Sequence, residues 1–105
     1  MVTNANPVFR ALADPTRRQI LGLLRRQPQA VGEIAGHFRC SRPAVSKHLR
    51  LLRAAGLVRT EQRGRLHICR LDPAPLRLVG LWIGEYQAFW AASLRGLKTD
   101  VEGSR

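Results

Sequence analysis

One stretch limits the folds open to this chain more than any other: residues 41–58, SRPAVSKHLRLLRAAGLV. Ser41 is a favourable N-cap, because its hydroxyl can accept from a free backbone N–H of the first helical turn. Pro43 follows near the helix start, where a missing N–H costs little. Val45, Leu49 and Leu52 recur at helical spacing and mark a buried stripe. The opposite face, at roughly 100° per residue, carries Pro43, Lys47 and Arg50, flanked by Arg42 and Ser46 near the N-terminal end and free of carboxylates. Ala55-Gly56 ends the helix, with Gly56 free to take the left-handed cap conformation. A short helix that is polar at its start, basic outside and apolar inside suits insertion into the DNA major groove. The same pattern also fits an ordinary surface helix with a solvated basic face.

The placement of charge favours the first reading. Eighteen Lys and Arg stand against seven Asp and Glu in 105 residues, a formal charge of +11 that points to a polyanionic partner. No acidic residue lies between Glu33 and Glu61, whereas Arg39, Arg42, Lys47, Arg50, Arg53 and Arg59 all do. The length suits one domain, 1–105. No signal-peptide pattern and no apolar run of transmembrane length is visible, so a cytoplasmic protein without membrane association is expected. Cys40 and Cys69 form neither a disulfide framework nor a CxxC motif.

In chain order, the pattern Val8, Phe9, Leu12 predicts a short helix over 7–12, with Asn6 as cap and a frayed start before it. Asp14 caps and Pro15 begins a second helix, which carries Ile20, Leu21, Leu23 and Leu24 and stops at Pro28. Residues 31–38 read as a third helix, joined to the Ser41 helix by a very tight turn at Arg39-Cys40. Two short helices so joined, over 31–53, form a helix-turn-helix pattern. Extended runs at 57–62 and 65–71 flank Arg63-Gly64 and read as a β-hairpin. That hairpin, 57–71, is placed as a wing whose basic tip, Arg63 and Arg65, can reach phosphates. Residues 75–97 read as the longest helix, followed by a loose tail over 98–105. Its seam of Val79, Ile83, Tyr86, Trp90, Leu94 and Leu97 is widened by Leu78, Leu81, Trp82 and Phe89. So broad an apolar band exceeds the usual core-facing stripe, and part of it is expected to meet another subunit.

The order of helix, helix, helix-turn-helix, wing and long terminal helix resembles the ArsR family of bacterial transcription regulators. FRALADPTRRQILGLL is similar to the family's opening, EIAGHF to the first helix of its motif, SRPAVSKHLRLLRAAGLV to its recognition helix, and RTEQRGRLHICRL to its wing. The fold expected is therefore mainly α with a small β-hairpin, a winged helix-turn-helix with a long C-terminal dimerisation helix. The resemblance implies a homodimeric repressor on double-stranded DNA with a palindromic operator, joined through 7–12 and 75–97. Phe9 and Leu12 would complete the patch of Val79, Ile83, Tyr86, Trp90 and Leu94. Carried over by position, the base-reaching residues are Arg42, Pro43, Ser46 and Lys47. Ser41, Arg50, Arg63 and Arg65 complete the DNA-contacting set, with His48 on the flank in a phosphate or packing role. Arg42 stands where many members have Gln, and an Arg there can make a bidentate contact to guanine.

Metal-sensing members carry two cysteines one residue apart just before EIAGHF, and Ala30 and Gly32 occupy those positions here. Other members use His and carboxylates of the terminal helix, which has Glu85 but no histidine. No metal and no other cofactor is therefore expected, and the effector is open. No Ser/His/Asp set, paired carboxylates or Gly-rich phosphate loop suggests an enzyme. Two alternatives stand beside the DNA-binding reading. One is a redox-sensing repressor acting through Cys40, which precedes a helix N-terminus among Arg39 and Arg42. The other is a protein-interaction module without DNA.

Overall fold

The computed structural model describes the backbone of residues 6–103 and the side-chain surroundings of residues 6–96. It runs α1 (Asn6–Leu12), α2 (Pro15–Arg26), β1 (Gln29–Ala30), α3 (Val31–Ala35), α4 (Arg42–Ala54), β2 (Val58–Arg63), β3 (Leu66–Leu71) and α5 (Leu76–Gly103). The expected frayed start falls largely on residues 1–5, outside the described residues. The side chain of Leu97 also lies outside them.

Local chemistry sets most boundaries. The Asp14 carboxylate accepts from the Arg17 N–H at 3.0 Å and caps α2. The Ser41 hydroxyl accepts from the Ala44 N–H at 3.3 Å and caps α4. At the other end of α4, Gly56 takes φ 77°. This lets the Leu57 N–H donate to the Leu52 carbonyl at 3.0 Å and the Gly56 N–H to the Arg53 carbonyl at 2.9 Å. Those two bonds are a Schellman closure, and Leu52 and Leu57, fully buried, supply its apolar contact.

The core lies where α1, α2, α3 and α4 meet the sheet. Val8, Ala11, Ile20, Leu21, Leu24, Ile34, Val45, Leu49, Leu52, Leu57 and Val58 are all buried there. The three expected α4 residues thus form its inner stripe. Leu12 and Leu23 are only half-buried.

Five expectations are corrected. The sheet has three antiparallel strands in the order β1-β3-β2, not a hairpin alone. After Pro28 stops the helical pattern, Gln29 and Ala30 pair with Cys69 and Ile68. Two residues are too few to show a strand period in the sequence. Second, α3 ends at Ala35 rather than residue 38, and His37 and Phe38 make tighter i→i+3 bonds to Ile34 and Ala35. The connection to α4 therefore occupies 36–41 and is longer than an Arg39-Cys40 turn. Third, the hairpin pairs Arg63 with Leu66, so its two-residue turn is Gly64-Arg65 and β2 begins at Val58. Gly64 at φ 60° with no positive φ at Arg65 is the type II′ arrangement. Fourth, α5 begins at Leu76 and continues to Gly103, because nothing in 98–102 interrupts a helix. Its last residues replace most of the expected tail, and 104–105 lie outside the described residues. Fifth, Asn6 belongs to α1 itself instead of preceding it.

Candidate nucleic-acid interface

α4 presents its polar side outward because its apolar side is fully used by the core. Arg42, Pro43, Lys47 and Arg50 are exposed, and Ser46 is half-buried. Among the described residues no carboxylate pairs with Arg42, Lys47 or Arg50. The Ser41 hydroxyl is already engaged as the helix cap. The Arg42 guanidinium leans over α3, so that a β-carbon on Gly32 would stand 3.8 Å from its Nη2. Exposed Leu51 adds an apolar element beside this basic face that the sequence reading missed.

The wing lies beside α4. Cross-strand pairs place Val58/Leu71, Thr60/Cys69 and Gln62/His67 on one face, and Arg59/Arg70, Glu61/Ile68 and Arg63/Leu66 on the other. The second face is a network of charge. Glu61 stands 3.5 Å from both Arg63 and Arg70, and Arg59 Nε donates to Asp72 at 2.9 Å. The two basic tip residues therefore differ: Arg63 has a carboxylate neighbour, whereas Arg65 sits exposed in the turn with no ion pair among the described residues.

His48 faces the other way, toward α2. Its Nδ1 lies 3.3 Å from Arg17 Nη1 and 3.8 Å from the Asp14 carboxylate. A neutral Nδ1 can accept from Arg17, and a protonated one can pair with Asp14, so the two bonds exclude each other. Arg17 also donates to the carbonyls of Ala11 at 2.8 Å and Arg10 at 2.9 Å. It thus ties the end of α1 to α4, a role with no local signal in the sequence because its partners are carbonyls and a distant imidazole. The Arg17 amide bond is the main cause holding the Asp14 carboxyl below its ordinary 3.8; desolvation opposes it, and the charges of His48 and Arg17 add to it.

The expected dimer patch divides into two parts. Leu12 and Val79 pack against the chain's own core, and Ile83 is half-buried. Phe9, Trp82, Tyr86, Phe89, Trp90 and Leu94 are exposed, Leu94 to 65%. Phe9 and Trp82 meet edge to face with centroids 5.5 Å apart, and Trp82 meets Tyr86 at 5.4 Å. Cys40 is exposed in the α3–α4 connection, while Cys69 is buried and burial pushes its thiol pKa up. Among the described residues no group of three or more His, Cys, Asp or Glu could hold a metal ion, and no helix is long and apolar enough to cross a membrane.

Comparison with known proteins bears on this arrangement. The pattern of the family described as bacterial regulatory protein, arsR family, matches residues 14–60. The transcriptional repressor SdpR of Bacillus subtilis is 43% identical over 72 residues, which are 69% of this chain and 80% of that protein. The crystal structure of the ArsR family transcriptional regulator RHA00566 superposes with a TM-score of 0.75 at 41% identity, covering 82% of this chain and 94% of that one. The homodimeric winged helix-turn-helix DNA-binding domain of Mb0332 from Mycobacterium bovis superposes with a TM-score of 0.64 at 29% identity, covering 78% and 79%.

Proposed function

This chain belongs to the ArsR family of bacterial regulatory proteins and is a DNA-binding transcriptional regulator rather than an enzyme; from that premise we propose that it is a homodimeric repressor of a palindromic operator, acting without a metal. The observation that carries this reading is the acid-free, exposed basic face of α4 beside the wing. Arg42, Pro43, Ser46 and Lys47 reach base edges in the major groove. Arg50 and the wing residues Arg63 and Arg65 hold phosphates, and Ser41 acts by capping the helix that presents them. His48 supports α4 from behind, through Arg17 and Asp14.

A palindrome requires two recognition helices about one DNA turn apart, ~34–36 Å, and one chain holds a single α4. The exposed aromatic band of α5, with Phe9 beside it, joins the second copy. The homodimeric state of the Mb0332 domain supports this arrangement. Metal independence is supported by Ala30 and Gly32, neither of which can ligate a metal, where the family resemblance places the sensing cysteines.

Selection of bound sequences from a randomised DNA pool tests the whole reading. The wild type should return an inverted repeat with half-site centres about 10–10.5 bp apart or a multiple of that. Arg42→Ala should lose base preference at one position of each half-site, at a cost of about 1–3 kcal/mol. A single unrepeated site, bound tightly by a monomeric wild type, would overturn the dimeric operator. Uniform weakening by Arg42→Ala would move that residue from base to phosphate.

A further inference from the structure

A cleft of about 270 Å³ runs between α4 and the inner face of the wing, and its chemistry differs from the rest of the surface. Arg42, Ser46, Leu49 and Arg53 line it from α4, at i, i+4, i+7 and i+11 spacing, and so run along one edge of that helix, between its buried stripe and its outer face. Thr60, His67 and Cys69 line it from the wing, and Val31 closes it from α3. Two guanidiniums, an imidazole and two hydroxyls therefore converge on a floor made by Val31, Leu49 and the Cys69 thiol.

None of the lining residues is a carboxylate. The wing's acids are engaged elsewhere: Glu61 with Arg63 and Arg70 on the opposite strand face, and Asp72 with Arg59. Among the described residues Arg42 and Arg53 have no ion pair. Within the cleft Arg53 makes one long donation, to the Thr60 hydroxyl at 3.5 Å, which leaves most of its donors available. Burial keeps the Cys69 thiol neutral, so no negative charge arises from the floor. Uncompensated donors above an apolar floor match a ligand with an anionic head and a small apolar body.

We propose that the cleft between α4 and the wing binds a small organic anion, a carboxylate or phosphate on a short apolar body, and that its occupation releases operator DNA. Arg53 and Thr60 hold the anionic head, while Leu49 and Val31 face the apolar body. Release follows because Arg42 and Ser46, assigned above to base contacts, also line the cleft and cannot serve both partners. The antagonism is reciprocal, since each ligand must weaken the other by the same factor. This part of the inference rests on the operator reading; anion binding itself does not. A DNA backbone phosphate has the same head-group chemistry, so the two sources must be separated by experiment.

Phenyl phosphate is the probe, with benzoate as its carboxylate counterpart, both at constant ionic strength in phosphate-free buffer. Calorimetry on the full chain should show one saturable site per chain. Arg53→Ala should weaken it about tenfold or more, the loss of a charge-assisted head-group contact. Arg25→Ala on α2, which removes the same charge away from the cleft, should leave it unchanged. Fluorescence anisotropy with labelled operator should then show phenyl phosphate raising the apparent Kd, beyond the effect of equal ionic strength. Absence of saturable binding at millimolar concentration, or equal weakening by Arg25→Ala and Arg53→Ala, overturns the site. If Arg53→Ala weakens DNA while phenyl phosphate does not bind, the cleft serves the DNA backbone and the proposal fails. If phenyl phosphate binds at the cleft but leaves DNA affinity unchanged, the release step is overturned. If the wild type binds no palindrome at all, the operator reading fails while the calorimetric result still decides the anion site.

Discussion

α4 and α5 are both amphipathic in sequence, but the chain completes only one of them. α4 buries Val45, Leu49 and Leu52 to 3% exposure or less and turns charge to solvent. α5 packs its first turns, Leu76, Leu78 and Val79, against the core and then leaves Trp82, Tyr86, Phe89, Trp90 and Leu94 uncovered. The more apolar helix is thus the less buried one. Folded monomers rarely expose a contiguous apolar patch of this kind, which makes the face a candidate interaction surface. α4 is finished by folding, while α5 would be finished by the dimer proposed above.

The largest expected effect separates those two cases. Leu52→Ala should cost about 2–5 kcal/mol in denaturant unfolding, with a cost that does not depend on protein concentration. Trp90→Ala should leave the fold of one chain intact and weaken dimerisation by about 2 kcal/mol or more, roughly thirtyfold, in sedimentation equilibrium. If Trp90→Ala instead behaves like Leu52→Ala, α5 is core and the contrast collapses.

Next in size is the wing, which sharpens the contrast by isolating the DNA side. Arg65→Ala should lower the log–log salt slope of DNA binding by about 0.9, one phosphate contact. Arg63→Ala should lower it by less, since Glu61 already lies 3.5 Å from that guanidinium. Equal slopes for both variants would mean that the Glu61 pair opens on DNA.

The smallest effect is an acid-side loss of stability confined to the α2–α4 junction. The Asp14 carboxyl releases its proton more readily in the folded chain than in the unfolded one. Its contribution is therefore complete above the ordinary carboxylate value of 3.8 and fades as pH falls through the lower folded value. Thermal melts from pH 6 down to pH 2 should show Asp14→Asn losing this part of the acid dependence while its effect on dimerisation is nil. An unchanged acid limb would remove Asp14 as its source.

The parts of the fold that were legible share a physical basis. Asp14 and Ser41 as caps, Gly56 as a left-handed terminus, and the Val45, Leu49, Leu52 stripe all depend on residues within a few positions of one another. The candidate DNA face was legible for the same reason, being the reverse of that stripe. The exposed α5 band was visible as an excess of apolar positions; that Leu12 of α1 and Val79 also pack against the chain's own core depends on contacts distant in the sequence. The hairpin turn was misplaced by one residue, because Gly64 suits either central position until the Arg63–Leu66 pairing chooses one. Arg42, Ser46, Leu49 and Arg53 already had the spacing of a common helix edge, but nothing local said what would stand opposite.

By itself, then, the sequence determined the capped helices, their buried stripes, the acid-free basic helix and the presence of a wing, since each follows from short-range bonding and periodicity. Only the tertiary structure decided that Gln29 and Ala30 join β3, that Arg17 ties the Arg10 and Ala11 carbonyls to His48, and that α4 and the wing enclose a cation-lined cleft. Those features depend on groups far apart in the chain. Their distances are set by how the core packs, and no residue pattern carries that information before the chain has folded.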